Sequence, residues 1–152
     1  MDWKNDRIGS ALRGENPTVL CRLKSGFAVL GDTQFLPGYC ILLRCPKAKN
    51  LNDLGAVPRL MFLREMSLIG DAILEVCHPL RINYEILGNT DAYLHAHIIP
   101  RYAWEEEGLR KQPVWLYPKE QRQSPEFEFN EQKHGELKKM LTDKLKDITE
   151  IR

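Results

Sequence analysis

The chain lacks any imbalance of charge and any long apolar run. Its 22 Lys and Arg against 21 Asp and Glu leave a formal net charge of +1. Without a block of one sign there is no cationic groove for polymeric nucleic acid and no polybasic patch for an anionic membrane. No apolar stretch approaches the roughly 20 residues that cross a bilayer. The opening run Met1-Asp2-Trp3-Lys4-Asn5-Asp6 lacks the apolar centre of a secretion signal, so the cytoplasm is the expected compartment. Cysteine is scarce: Cys21, Cys40, Cys45 and Cys77 show no Cys-x-x-Cys spacing, which argues against a zinc ribbon or dithiol centre and leaves four small buried hydrophobes. Cys77 and His78 are adjacent at a helix end, ahead of Pro79, and are poorly directed toward a shared metal. There is no internal repeat and no low-complexity tract.

What is present suits one soluble domain over residues 1–152, with 43% hydrophobic and 28% charged residues. The pattern predicts a core over 19–102 and a C-terminal loop and helix extension over 103–152. A short amphipathic helix is expected over 6–13 and strands over 19–23, 27–30 and 39–44, with turn residues between them. Phe62, Met66, Ile69, Ile73 and Val76 step by four, three, four and three, which is the stripe of a helix packed on a sheet over 58–77. Strands follow over 81–87 and 92–101, joined by a tight connection at 88–91. The segment 104–125 is charged, aromatic and proline-bearing, yet Pro113-Val114-Trp115-Leu116-Tyr117-Pro118 carries too much apolar surface for a solvated linker, so it packs on the domain or on a second subunit. Leu137, Leu141, Leu145 and Ile148 mark a last amphipathic helix, with His134 near its start facing solvent. Strands interrupted by one long helix give an α+β class: an antiparallel sheet of about five strands with a long helix and a C-terminal helix packed on it.

Histidine is also rare, and two of the chain's four stand in Tyr93-Leu94-His95-Ala96-His97-Ile98-Ile99-Pro100-Arg101. Side chains alternate across a strand, so Tyr93, His95 and His97 share one face while Leu94, Ala96 and Ile98 share the other. One face can bury and the other carries chemistry. At a rise of about 3.3 Å per residue the imidazoles lie about 6.6 Å apart along the strand, close enough for one to attack a group while the other binds an oxygen on it. Asn83 on the adjoining strand, or Asn89 in the connection, would lie near that face. The same pair could instead offer two ligands to a metal ion, although a third is lacking: His78 and His134 lie in helical contexts and Asp91 is a distant carboxylate. A non-catalytic binding module, or a scaffold that holds a partner with residues 104–118, is the remaining alternative.

His95-x-His97-x-x-Pro100-Arg101, preceded by Gly88-Asn89-Thr90, by the long helix and by Pro37-Gly38 at the head of a strand, resembles the signature of the histidine triad (HIT) family of nucleotide hydrolases and transferases. The resemblance runs over residues 27–102. Two positions depart from it: Tyr93 stands where the family carries the first triad histidine, and Tyr39 stands where a histidine often follows Pro-Gly. The resemblance implies that His95 and His97 form the catalytic pair, with His95 the nucleophile oriented by a backbone carbonyl from the neighbouring strand. It assigns Asn83, Asn89, Thr90 and Tyr93 to the phosphate and Asp32 to the nucleoside. The implied reaction cleaves the α-phosphate linkage of a (di)nucleoside polyphosphate or a nucleoside phosphoramidate through a nucleotidyl-His95 intermediate and releases a nucleoside monophosphate, with no cofactor and no catalytic metal. A homodimer is implied as well. Tyr93 either donates a phenolic hydrogen bond in place of the imidazole or marks a protein that binds nucleotide and turns it over slowly; retained catalysis is the expectation.

Overall fold

A computed structural model describes residues 2–151. Helix α1 (Arg7–Leu12) is capped by Asp6, whose carboxylate accepts the Gly9 N–H at 2.9 Å and so satisfies a donor that the first turn leaves free. Strands β1 (Val19–Arg22), β2 (Gly26–Leu30) and β3 (Cys40–Arg44) precede the long helix α2 (Ala56–Cys77), which leads to β4 (Arg81–Glu85) and β5 (His95–Arg101). Two single-turn helices, α3 (Glu107–Arg110) and α4 (Lys119–Arg122), punctuate the run to α5 (Glu131–Ile151). All strand pairs are antiparallel and the sheet order is β1-β2-β3-β5-β4. This is the α+β architecture that the sequence pattern predicts. No helix among the described residues is long and apolar enough to cross a membrane.

Alternation gives the sheet two different faces. Leu20, Ala28, Leu30, Leu42, Ala96 and Ile98 turn toward α2 and α5, where Phe62, Ile69, Ile73, Leu141 and Leu145 are buried with them. Burying each such large aliphatic or aromatic side chain contributes about 1.5–3 kcal/mol. Of the predicted helical stripe Phe62, Ile69 and Ile73 are buried, and Met66 and Val76 are partly buried. Helix α2 stops at His78, which takes a left-handed φ of 52° just before Pro79. Helix α5 of the C-terminal extension contributes Leu141, Leu145 and Ile148 to this core. All four cysteines are free; Cys40 is buried and the others are partly so. His134 is half-buried rather than solvent-facing: its Nδ1 accepts the Asn130 N–H at 3.0 Å and its ring stacks on Phe129.

The other face carries Phe27, Val29, Ile41, Leu43, His95, His97 and Ile99, and it is covered only at its two ends. Ile8 and Ala11 of α1 pack on Phe27, Val29 and Leu43. At the far end Tyr102, Val114 and Tyr117 pack on Phe35, Leu36 and Ile99, so the apolar 113–118 segment seats on its own domain. A buried ion pair holds that cover. Arg101 at the end of β5 bonds Glu105 at 3.0 Å and the carbonyls of Leu109 and Gln112 at 2.9 and 2.7 Å, while Glu105 accepts the Tyr117 hydroxyl at 2.7 Å and the Tyr102 N–H at 2.6 Å. Every hydrogen-bonding edge of the Glu105 carboxylate is thereby used, which a buried charge requires. Between the two covers the sheet face stays open.

The connection from β4 to β5 differs from the expected tight turn at 88–91. Strand β4 ends at Glu85 and β5 begins only at His95. The Leu94 N–H donates to Ala48 O at 2.7 Å and Leu94 O accepts from Arg44 N at 3.2 Å, which draws the chain toward the end of β3 before β5 starts.

Candidate active site

The open part of the sheet is the floor of a cavity of about 290 Å³, and His95 and His97 both face into it. Their ring centroids are 5.0 Å apart, edge to face. They reach it together because they are two residues apart on β5, while Ala96 between them is fully buried in the core behind. The sequence reading of this strand, with the imidazoles on one face and Ala96 and Ile98 on the other, matches the structure.

Each imidazole is held at Nδ1. His95 Nδ1 lies 2.7 Å from the backbone oxygen of Tyr93. A carbonyl only accepts, so Nδ1 carries the proton and Nε2 of the neutral ring presents a lone pair. The orienting carbonyl comes from the same chain two residues upstream rather than from the neighbouring strand, because the segment before His95 has left the ladder and its carbonyl is free to turn inward. His97 Nδ1 lies 2.6 Å from the Tyr39 hydroxyl. Burial, with the nearby His95, pushes the His97 pKa down to about 4, so the ring is neutral near pH 7 and holds one proton. Burial also raises the Tyr39 pKa, which keeps the phenol protonated. If that proton sat on His97 Nδ1, the Tyr39 hydroxyl hydrogen would be buried without an acceptor. With Tyr39 as donor, the proton of His97 sits on Nε2 and no buried donor is stranded.

Local sequence explains how Tyr39 arrives there. Gly38 takes φ +95°, and a Cβ at Gly31 would lie 2.2 Å from the Tyr39 ring, so the ring slides past β2 only because Gly31 has no side chain. Gln34 fastens this turn, donating to the carbonyls of Gly31 and Tyr39 at 3.0 Å each and accepting the Gly38 N–H at 2.9 Å. The tyrosine after Pro37-Gly38 thus directly supports the histidine pair.

The other predicted site residues are placed as follows. Tyr93 lines the cavity with its ring 4.8 Å from that of His95, and Lys47 lies over its outer side at 5.1 Å. Asp32 lines the cavity too, but both its oxygens accept from Arg7 of α1, at 2.7 and 2.6 Å. The structure does not bring Asn83, Asn89 or Thr90 to the cavity. Asn83 shares the sheet face, yet the register sets it opposite Ile99, and its oxygen accepts from Arg101 at 3.0 Å. Asn89 and Thr90 are exposed in the long connection. Glu85, not Asn83, stands opposite His97.

Arg7, Trp115 and Arg122 of the cavity lining escaped the sequence reading, as did Glu85, which braces Trp115. Glu85 accepts the indole N–H of Trp115, whose ring meets His97 edge to face at 5.1 Å. Arg122 of α4 lies over the same indole at 5.6 Å. Trp115 sits within the apolar run that the sequence did single out; Arg7 and Arg122 carried no signal, since one charge on a short helix looks like any solvated charge. Among the described residues no three His, Cys, Asp or Glu side chains are grouped to hold a metal ion.

No family model matches the sequence, and no curated protein matches it. Solved structures do. The chain superposes on a histidine triad protein from Marinobacter aquaeolei with TM-score 0.68 and 23% identity, covering 86% of this chain and 89% of that one. On one from Sinorhizobium meliloti the TM-score is 0.71 with 20% identity, covering 95% of both chains. A zinc-bound family protein from Mycobacterium smegmatis gives 0.62 and 16%, over 91% of this chain and 93% of that chain. Superpositions that cover most of both chains show that this chain has the fold of the histidine triad proteins.

Proposed function

We propose that the protein is a nucleotide phosphohydrolase that cleaves at the α-phosphate and passes through a nucleotidyl-His95 intermediate. The observation that carries this reading is the hydrogen bond from His95 Nδ1 to Tyr93 O, which fixes the tautomer so that in the neutral ring the lone pair is on Nε2, within a cavity large enough for a nucleotide fragment. Nε2 attacks the phosphorus, an N–P bond forms and the bond to the leaving group breaks. Water then attacks the same phosphorus, the N–P bond breaks, and nucleoside monophosphate leaves. His97 Nε2–H donates to a non-bridging oxygen as charge builds there, and the Tyr93 hydroxyl, its ring beside His95, is a further donor. As placed, Asn83, Asn89 and Thr90 take no part. Asp32 keeps two of its four lone-pair positions after pairing with Arg7, enough to accept from a ribose diol.

The same reading includes a homodimer and a cytoplasmic setting. Strand β4 is a sheet edge, and Leu80, Tyr84 and Leu87 stand exposed along it, a surface suited to pairing with a second copy. Sedimentation equilibrium reads the mass directly.

His95→Ala should abolish release of nucleoside monophosphate from a panel of dinucleoside polyphosphates and phosphoramidates while equilibrium binding of nucleotide persists. Full turnover by that variant removes His95 from the nucleophile's role. Binding without turnover in the unaltered protein favours the non-catalytic module, and activity lost in chelator favours the metal reading.

A further inference from the structure

The cavity holds two guanidinium groups in different states. Arg7 is neutralised by its two-pronged pair with Asp32. Arg122 has no carboxylate partner among the described residues, yet it is built in rather than loose. Its Nε donates to Tyr117 O at 3.2 Å, its backbone oxygen accepts the Thr33 hydroxyl at 2.6 Å, and its guanidinium lies over Trp115 at 5.6 Å. The Nη groups are left with four N–H donors and no protein acceptor among the described residues. One indole separates them from the His97 ring, which contacts the same Trp115 at 5.1 Å. The remaining lining charge, Asp91, is negative and repels phosphate. An anionic chain entering this cavity therefore meets Arg122 as its one uncompensated positive partner.

We propose that Arg122 binds phosphate of the substrate beyond the phosphorus that His95 attacks, so that the site takes nucleotides whose leaving group is itself a phosphate or polyphosphate in preference to phosphoramidates with an amine leaving group. This rests on the hydrolase reading above and narrows it to a substrate class. A second observation agrees. An amine must gain a proton as its bond to phosphorus breaks, whereas a phosphate departs as a stable anion, its last proton having a pKa of about 6. Beside His95 stands Tyr93, whose phenol burial keeps protonated, and His97 is committed to Tyr39 at one nitrogen. A phenol whose acidity burial weakens gives up its proton to a departing amine less readily, while a spare guanidinium suits an anionic leaving group.

The test compares Arg122→Gln and Arg122→Lys with the unaltered protein on two substrates sharing one nucleoside, a dinucleoside triphosphate and a nucleoside phosphoramidate. The ratio of kcat/KM for the first over the second should fall about 10- to 100-fold in Arg122→Gln, the size of a lost charge-assisted hydrogen bond, and should partly recover in Arg122→Lys. An unchanged ratio overturns the proposal. Calorimetric binding of nucleoside triphosphate and monophosphate decides independently of turnover. A preference for the triphosphate that disappears in Arg122→Gln sustains the role of Arg122 even if neither substrate is hydrolysed, in which case the hydrolase reading alone fails. A preference that survives the substitution, or no binding of either nucleotide, overturns the proposal. Thermal midpoints of both variants establish that the comparison is made between folded proteins.

Discussion

Replacing Tyr39 by Phe deletes one hydroxyl and little else, since the ring still fills the space that Gly31 leaves open. The oxygen removed is the donor 2.6 Å from His97 Nδ1. A typical hydrogen bond contributes about 1 kcal/mol net, and an acceptor stranded away from water costs about 1–3 kcal/mol, so the variant should lose roughly 1–3 kcal/mol of stability. For a protein of this size that lowers Tm by about 3–10 °C. The larger effect is on chemistry. Without the phenol, nothing fixes the proton of His97 on Nε2, and a ring that turns an unprotonated nitrogen to the phosphate repels the developing charge. Removing a preorganised donor outright costs about 100- to 1000-fold in kcat, and freeing a tautomer costs less, so kcat/KM should fall about 10- to 100-fold. Steady-state kinetics on a dinucleoside polyphosphate gives the rate, and 15N shifts of the imidazole nitrogens report the tautomer directly. A Tyr39→Phe protein with native kcat/KM and an unchanged Nε2–H signature would refute the orienting role of the tyrosine.

Three further outcomes follow from the same geometry. His97 has a folded pKa of about 4 against an ordinary 6.5, so between those values the unfolded chain binds more protons and stability falls as pH drops from 6.5 toward 4, by about 3 kcal/mol in all; denaturant melts at pH 7 and pH 4 should show that loss, and His97→Gln should reduce it. Glu105→Ala strands the buried Arg101 charge and should cost about 3–5 kcal/mol by urea unfolding; because the pair fastens the segment carrying Trp115, indole fluorescence should redshift, and a native melt with native emission would contradict the assigned network. Asp32→Asn frees Arg7 from its ion pair and should weaken nucleoside binding measured by calorimetry, whereas unchanged affinity would take Asp32 out of the nucleoside site.

Period alone accounts for what was legible beforehand. Alternation over 93–98 placed the imidazoles on one face and Ala96 and Ile98 in the core, and the four-three stepping of Phe62, Met66, Ile69 and Ile73 placed α2 on the sheet. Both are local rules that a dozen residues satisfy by themselves. Register is not local. Whether Asn83 or Glu85 faces His97 depended on where β4 stops and on the bonds between Leu94 and both Arg44 and Ala48 that pull residues 86–94 out of the ladder.

The sequence by itself determined the α+β class, the helix that backs the sheet and the pair of histidines that share a face, because each follows from side-chain periodicity along a continuous stretch. Tertiary structure alone decided which groups surround that pair: Tyr39 on His97, Arg7 on Asp32, and Trp115 and Arg122 over the cavity, contacts that, except for the indole and its guanidinium, join residues 18 or more positions apart. Long-range pairs of this kind are set by how two covers close over a sheet, and no spacing within the chain encodes that distance.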